Sequence, residues 1–328
     1  MERRIRGLLI AFTLGVLSVP LPALAQQPAR IYRIGFLGQV SASTMAPQLE
    51  AFRQGLRDLG YVEGKNLTIE YRWAEGNYDR LPDLAADLVR LTPAVLVTHG
   101  TPGTQAAKRA TTTIPIVMAT SGDAVAAGLV TSLSRPGGNV TGSSFFGPEL
   151  NAKRLELLKE AIPRATRVAY LYNPANPLSR NTAKAMEETA KSLRVKLQKF
   201  EVRAADDFAG VFAAAVRQGA GAVLLSLDSM LLYHGELIGH LATKSRLPTM
   251  GSKEHVEAGA LMAYGIDTRD LWRRASFFVD RILKGAKPAD LPVEQPMRFE
   301  LVVNLKAAKA LRLTIPPSVL VRADRVIQ

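Results

Sequence analysis

"RVAYLYNPANPLSRNTAKAMEETAKSLRVKLQKFEVR" (Arg167–Arg203) reads as a short β-branched and aromatic strand, a Pro/Asn/Ser loop, an amphipathic helix and a second strand. That is one βαβ unit, the connection parallel strands require. The same order stands earlier in the chain, as "RIGFLG" (33–38), "PQLEAFRQGLRDLG" (47–60) and "NLTIEYRW" (66–73). Arg33-Ile34-Gly35-Phe36-Leu37 lies opposite Arg167-Val168-Ala169-Tyr170-Leu171. Each unit then continues. The first runs through helix "YDRLPDLAADLVRL", strand "AVLVTHG", helix "PGTQAAKRAT" and strand "IPIVMAT"; the second runs through helix "DDFAGVFAAAVRQ", strand "GAVLLSLD", helix "LLYHGELIGHLATKS" and strand "LPTMGS". The expected fold is therefore α/β with two similar lobes, each a mainly parallel sheet flanked by helices.

The tail, with strands "GALMAYG" and "MRFELVVN" and the helix "DTRDLWRRASFFVDRILKG", is too short for a third lobe and must be shared between the two. The chain then crosses between lobes more than once, which makes a multi-strand hinge with a cleft beside it. The expected division is 30–143 plus about 266–290 for the first lobe, and 144–265 plus about 296–328 for the second. Residues 1–25 read as a signal peptide, with Arg3, Arg4 and Arg6 ahead of the largely apolar run Gly7–Val19 and a cleavage pattern Ala23-Leu24-Ala25. The run is short for a membrane span.

The chain has no cysteine, which excludes disulfides, thiolate chemistry and a lipid-modified cysteine at the cleavage point. A free periplasmic protein, expected to be a monomer, is the implied product. The net charge of +13 falls by two when the leader is removed, and Lys and Arg are interleaved with acids, as in "KAMEETAKSLR", rather than gathered in a block. Nucleic acid is not an expected partner.

The motifs of catalysis are missing. No G-x-S-x-G elbow occurs, and His99, His234, His240 and His255 form no metal-ligand spacing, so neither metal nor cofactor is expected. A Ser/His/Asp triad built from scattered residues stays open as the hydrolase alternative. "GYVEGKN" (60–66) imitates a phosphate loop, but it is one residue short, has Asn66 in place of Ser or Thr, and leads from helix to strand; it reads as a cap and turn. "VTHGTPGTQAAKRA" (97–110) is a glycine turn opening a helix without a dinucleotide fingerprint, and His99 beside it reads as a bystander on the rim.

In open α/β sheets ligands sit beyond the carboxyl ends of strands, where this chain places small hydroxyl, amide and carboxylate residues. Asp123 and Asp228 each follow a strand, one in each half, and each could serve either as a helix cap or as the partner of an ammonium group. Helix N-termini in the same loops favour a carboxylate, so a small zwitterion suits the cleft.

The segments "EAFRQGLRDLGYVEGKNLTIEYRWAEG", "IPIVMATSGDAVAAGLVTSLSRPGGNVTG", "RVAYLYNPANPLS" and "GALMAYGID" resemble the ABC-transporter substrate-binding proteins of the tryptophan/tyrosine-type family. The resemblance runs over essentially the whole chain after the leader and is most specific at "GLVTSLSRPGGNVTG". It implies a type I periplasmic-binding fold, no catalysis, and delivery of a small ligand to an inner-membrane permease. By position it places the ligand-facing residues at Ser43, Gly100, Thr101 and Asp123 in the first lobe, and at Asn173, Ser179, Asp228, Ser229 and Tyr264 in the second. Ala124 stands where members carry proline and Thr268 where they carry tyrosine, which weakens the expectation of an aromatic amino acid. A partner that presents the ligand to a membrane sensor would have the same sequence features.

Overall fold

The computed structural model describes residues 31–328; the leader expected over 1–25 lies outside them. Two sheets organise the chain. The first contains β1 (Tyr32–Gly38), β2 (Leu67–Trp73), β3 (Val95–His99), β4 (Ile116–Ser121) and β5 (Val140–Ser144), in the order β2-β1-β3-β4-β5 and all parallel. The second contains β6 (Arg167–Tyr172), β7 (Lys196–Glu201), β8 (Ala222–Leu225), β9 (Thr249–Gly251), β10 (Met262–Ile266), β11 (Phe299–Asn304) and β12 (Arg325–Ile327). Its order is β12-β11-β10-β9-β8-β6-β7, and only the β10–β11 pair is antiparallel.

Central strands such as β3 and β8 are buried along their whole length because helices cover both faces of each sheet. Their sequences are accordingly continuous apolar runs rather than alternations. Beneath the first sheet the helix Thr268–Leu283 lies along the helix Ala46–Asp58, burying Trp272 and Phe278 against Phe36 and Phe52. This late helix therefore serves the first sheet, although β10 before it and β11 after it belong to the second.

Three connections join the lobes among the described residues: Ser144 to Gly147, Ile266 to Thr268, and the segment between Leu291 and Phe299. Glu294 in the last of these pairs its backbone with the first, accepting from the Ser144 N–H at 2.9 Å and donating to the Gly142 carbonyl at 2.9 Å. Arg274 holds the Glu294 carboxylate with two bonds, at 2.8 and 2.7 Å. Gly142 has φ +122, and a Cβ there would lie 2.2 Å from the Met118 carbonyl oxygen, so only glycine lets β5 close against β4 at the hinge.

The structure departs from the expected elements in places. "VTGSS", which has only one β-branched apolar residue, forms the edge strand β5. The stretch "GPELNAKRLELLKEA", unassigned by its pattern, is the helix Gly147–Ala161. "LLYHGELIGHLATKS" is split at His234 between helices Ser229–Tyr233 and Gly235–Ser245. The loop "GYVEGKN" is a turn: Gly60 and Gly64 have positive φ, and the Asn66 side chain bonds the Val62 N–H and the Gly60 carbonyl.

Candidate functional site

The carboxyl ends of β3 and β4 face those of β6, β8 and β9 across a cavity of about 170 Å³. From the first lobe its wall takes Gly100, Thr101, Thr120 and Gly122; from the second it takes Tyr170, Ser179 and the run Ser226–Ser229. Apolar side chains, among them Phe145, Leu178, Leu232 and Trp272, form its body. A cavity mostly apolar with a few polar groups in its wall suits a small organic molecule.

On the first-lobe side the chain turns sharply at Gly100 (φ +67) into the helix Thr101–Ala110. A Cβ on Gly100 would meet the Gln39 side chain at 2.5 Å. The Thr101 hydroxyl accepts from the Gly122 N–H at 3.2 Å and lies 3.1 Å from the Ser121 hydroxyl, which locks the β3 and β4 loops together. Gln39 Nε2 is buried without a partner in the protein.

Asp228 is the most heavily bonded group on the opposite side. Its Oδ1 accepts from Tyr78 OH (3.0 Å), Met230 N–H (3.0 Å) and Asn173 Nδ2 (3.4 Å), and its Oδ2 accepts from Asn176 Nδ2 (3.0 Å). Burial raises the pKa of this carboxyl, and the four hydrogen bonds oppose that rise. Tyr78 belongs to the first lobe. Its hydroxyl donates to Asp228 and accepts from Met230 N–H at 3.0 Å, and burial pushes its own pKa well up, so it stays a protonated donor. A further bond across the lobes runs from Gln48 Nε2 to Glu254 Oε1 at 3.1 Å.

The structure brings Gly100, Thr101, Ser179, Asp228 and Ser229 to the cavity wall. Asn173 lies behind the wall, 2 % exposed, and orients Asp228. The other expected residues stand elsewhere. Asp123 uses Oδ1 to cap the Val125 and Ala126 N–H groups at 3.1 and 2.9 Å. Ser43 bonds the Ser41 hydroxyl in an exposed turn. Tyr264 stacks on Phe299 in a separate groove at the hinge, because β10 alternates its side chains and Ala263, not Tyr264, faces the cavity.

His99 is in the core rather than on the rim. It is 2 % exposed, packs on Phe36 and Trp272, and accepts the Gln39 N–H at Nε2 (3.0 Å); burial pushes its pKa down to about 4, so it is neutral. His255 is likewise driven down to about 4 by burial. Its Nδ1 accepts the Ser252 N–H, leaving Nε2–H to donate to the Leu231 carbonyl. Among the described residues no group of three or more His, Cys, Asp or Glu could hold a metal ion.

Four residues that the sequence reading did not single out complete the site: Tyr78, Arg154, Tyr170 and Ser226. Ser226 falls in a loop already expected to matter, "SLDSM". The others sit within ordinary helix, turn or strand patterns and carry no local signal.

The profile of the family described as "ABC transporter substrate binding protein" matches residues 33–327. The chain belongs to this family. A curated relative, a tyrosine-binding protein of Clostridioides difficile strain R20291, is 28% identical over 280 residues, covering 85% of this chain and 80% of its own. Its members here are ligand-binding proteins and not enzymes. Two solved structures sharpen the comparison. A domain from Streptococcus pneumonia in complex with L-Trp is 28% identical, covers 90% of this substrate-binding protein and 100% of itself, and superposes with a TM-score of 0.84. A ligand-free, open substrate-binding protein with adhesive properties from Clostridium difficile is 26% identical, with coverage of 91% and 100%, yet reaches only 0.64. In this chain the Tyr78–Asp228 and Gln48–Glu254 bonds join the two lobes.

Proposed function

We propose that this substrate-binding protein works outside the cytoplasm as the capture component of an importer, taking a small amino acid or related carboxylate into the cleft and presenting the closed form to a membrane permease. The observation that carries the reading is the cavity between the lobes, walled by the N-terminus of the helix Thr101–Ala110 on one side and by the Asp228 loop on the other. Gly100 and Thr101 would take the ligand from the first lobe; Ser179, Asp228 and Ser229 would take it from the second. Ligand that touches both lobes stabilises the closed arrangement by its differential affinity, and on the order of 5 kcal/mol of such preference turns a mostly open population into a mostly closed one. The amino-acid relatives support the ligand class, and the expected leader supports export.

The test is to purify the mature chain under native conditions, release what it carries, and identify that by mass spectrometry. A thermal-shift screen over amino acids and small carboxylates follows, because a ligand that binds only the folded state must raise its melting temperature. Failure of every candidate to shift the transition, together with turnover of one of them, would replace this reading with an enzymatic one. Loss of uptake of the identified ligand on deletion would separate transport from sensing.

A further inference from the structure

Arg154, in the middle of the helix Gly147–Ala161, is fully buried. Its Nη1 donates to the Leu225 carbonyl (2.9 Å) and to Asn151 Oδ1 (3.2 Å), while Nε and Nη2 find no acceptor in the protein. A buried guanidinium without a carboxylate is costly, because no counter-ion compensates its charge. The cation stands directly behind the cavity. Asn151, which it bonds, lines the cavity, and so does Ser226, the residue after Leu225.

Two further groups on that wall are buried and have no partner beyond each other: the Tyr170 hydroxyl and the Ser226 hydroxyl. Burial pushes the Tyr170 phenol up, so it carries its proton and can donate. Guanidinium has only donors, and both hydroxyls can donate, so the wall offers hydrogen and asks for an acceptor. The acids that line the cavity do not supply it: Glu254 accepts from Gln48 and Glu300 pairs with Lys253. Asp228 Oδ1 already takes three protein donors and Oδ2 takes one. His255 does not supply it either, since its Nδ1 accepts from Ser252 and its Nε2 faces the Leu231 carbonyl.

We propose that the second-lobe wall is an oxyanion subsite, in which Tyr170 OH and Ser226 OH bind a carboxylate of the ligand under the field of Arg154, so that the ligand is an organic acid with an apolar body whose amino group is dispensable. This deepens the cleft-binding reading and rests on it. The sequence leaves Asp228 open as a helix cap or as the partner of an ammonium group; the bonds it already makes and the donors beside it favour an acceptor on this wall instead.

The experiment is calorimetric titration of the mature chain with matched probes: L-phenylalanine, hydrocinnamate and phenethylamine, and the aliphatic set L-leucine, isocaproate and isoamylamine. In whichever set binds, the acid lacking the amine is expected within about tenfold of the amino acid, and the amine lacking the acid is expected not to bind. Arg154→Met should weaken the acid by roughly tenfold or more, because it removes the buried positive charge behind the carboxylate, with partial rescue by Arg154→Lys. Tyr170→Phe keeps the ring and should cost roughly fivefold, so it decides the matter if Arg154→Met does not fold. Binding of the amine alone, or an acid affinity unchanged in both variants, overturns the oxyanion subsite while leaving the cleft as the ligand site. If no probe of either charge binds and the chain carries no organic acid when purified, the cleft-binding reading falls, and the subsite with it.

Discussion

Asp123 and Asp228 occupy matching places, each just after a strand of a parallel sheet and each followed by a turn of helix or near-helix. Both use Oδ1 to receive the backbone N–H two residues on. There the likeness stops. Asp123 spends its remaining capacity on one more local N–H and stays partly in water. Asp228 is 8 % exposed and gathers Asn173, Asn176 and, from the other lobe, Tyr78. A capping carboxylate and a carboxylate that joins two lobes are thus the same local motif in different surroundings. The difference is decided by what covers the loop.

The comparison breaks if both aspartates behave alike on removal. Asp228→Ala leaves the Tyr78 hydroxyl and two asparagine amides without their acceptor in a buried site, and should cost roughly 2–4 kcal/mol in urea unfolding. It should also weaken the binding of whatever ligand the protein carries. An unfolding midpoint equal to the parent's would show that these bonds are not made in solution.

The two buried histidines extend the contrast between lobes to acid. Each has its pKa lowered to about 4 by burial, so between roughly pH 6.5 and 4 the unfolded chain binds more protons than the folded one. Their contribution is therefore complete above about pH 6.5 and lost as the pH falls through this window, by on the order of 3 kcal/mol for each. His99→Gln, whose amide oxygen can still accept the Gln39 N–H, should remove about half of this acid sensitivity in chemical unfolding measured across the window. An unchanged pH profile would mean that His99 is solvated.

Tyr78→Phe tests the bond between the lobes. Loss of one neutral donor to a carboxylate is expected to cost about 1.5 kcal/mol of closed form, roughly a tenfold shift toward open, visible as a larger radius of gyration in small-angle scattering of the ligand-free protein. Asp123→Ala is expected to have the smallest effect, about 1 kcal/mol of stability from the lost cap, with ligand affinity unchanged. A large loss of affinity there would return Asp123 to the site.

Most of the fold is legible in the sequence because strands buried on both faces must be continuous apolar runs, and amphipathic helices must alternate with them to supply the crossovers. Strand β5 escapes this logic: "VTGSS" is held at the sheet edge by Gly142 and the hinge segment, not by its own propensity. The helix Thr268–Leu283 packs on the helix Ala46–Asp58 of the first sheet, a pairing that neither helix's own pattern reveals. In the site, the loops at strand ends are legible as a class, but their members are not. Arg154 reads as one more charge on a helix, and Tyr264 reads as a ring beside the cleft until the register of β10 turns it toward Phe299.

By itself, then, the sequence determined two parallel-sheet lobes, a chain that recrosses between them, the absence of cysteine chemistry, and small polar residues at the strand ends. Tertiary structure alone decided which polar atoms lose water and which meet. Tyr78 and Asp228 are 150 residues apart, and Arg154 and the Leu225 carbonyl are 71 apart. Local pattern is written by a residue's immediate neighbours. Burial and its electrostatic cost are set by the segments that fold over it, and here those come from the other half of the chain or the far side of the same lobe.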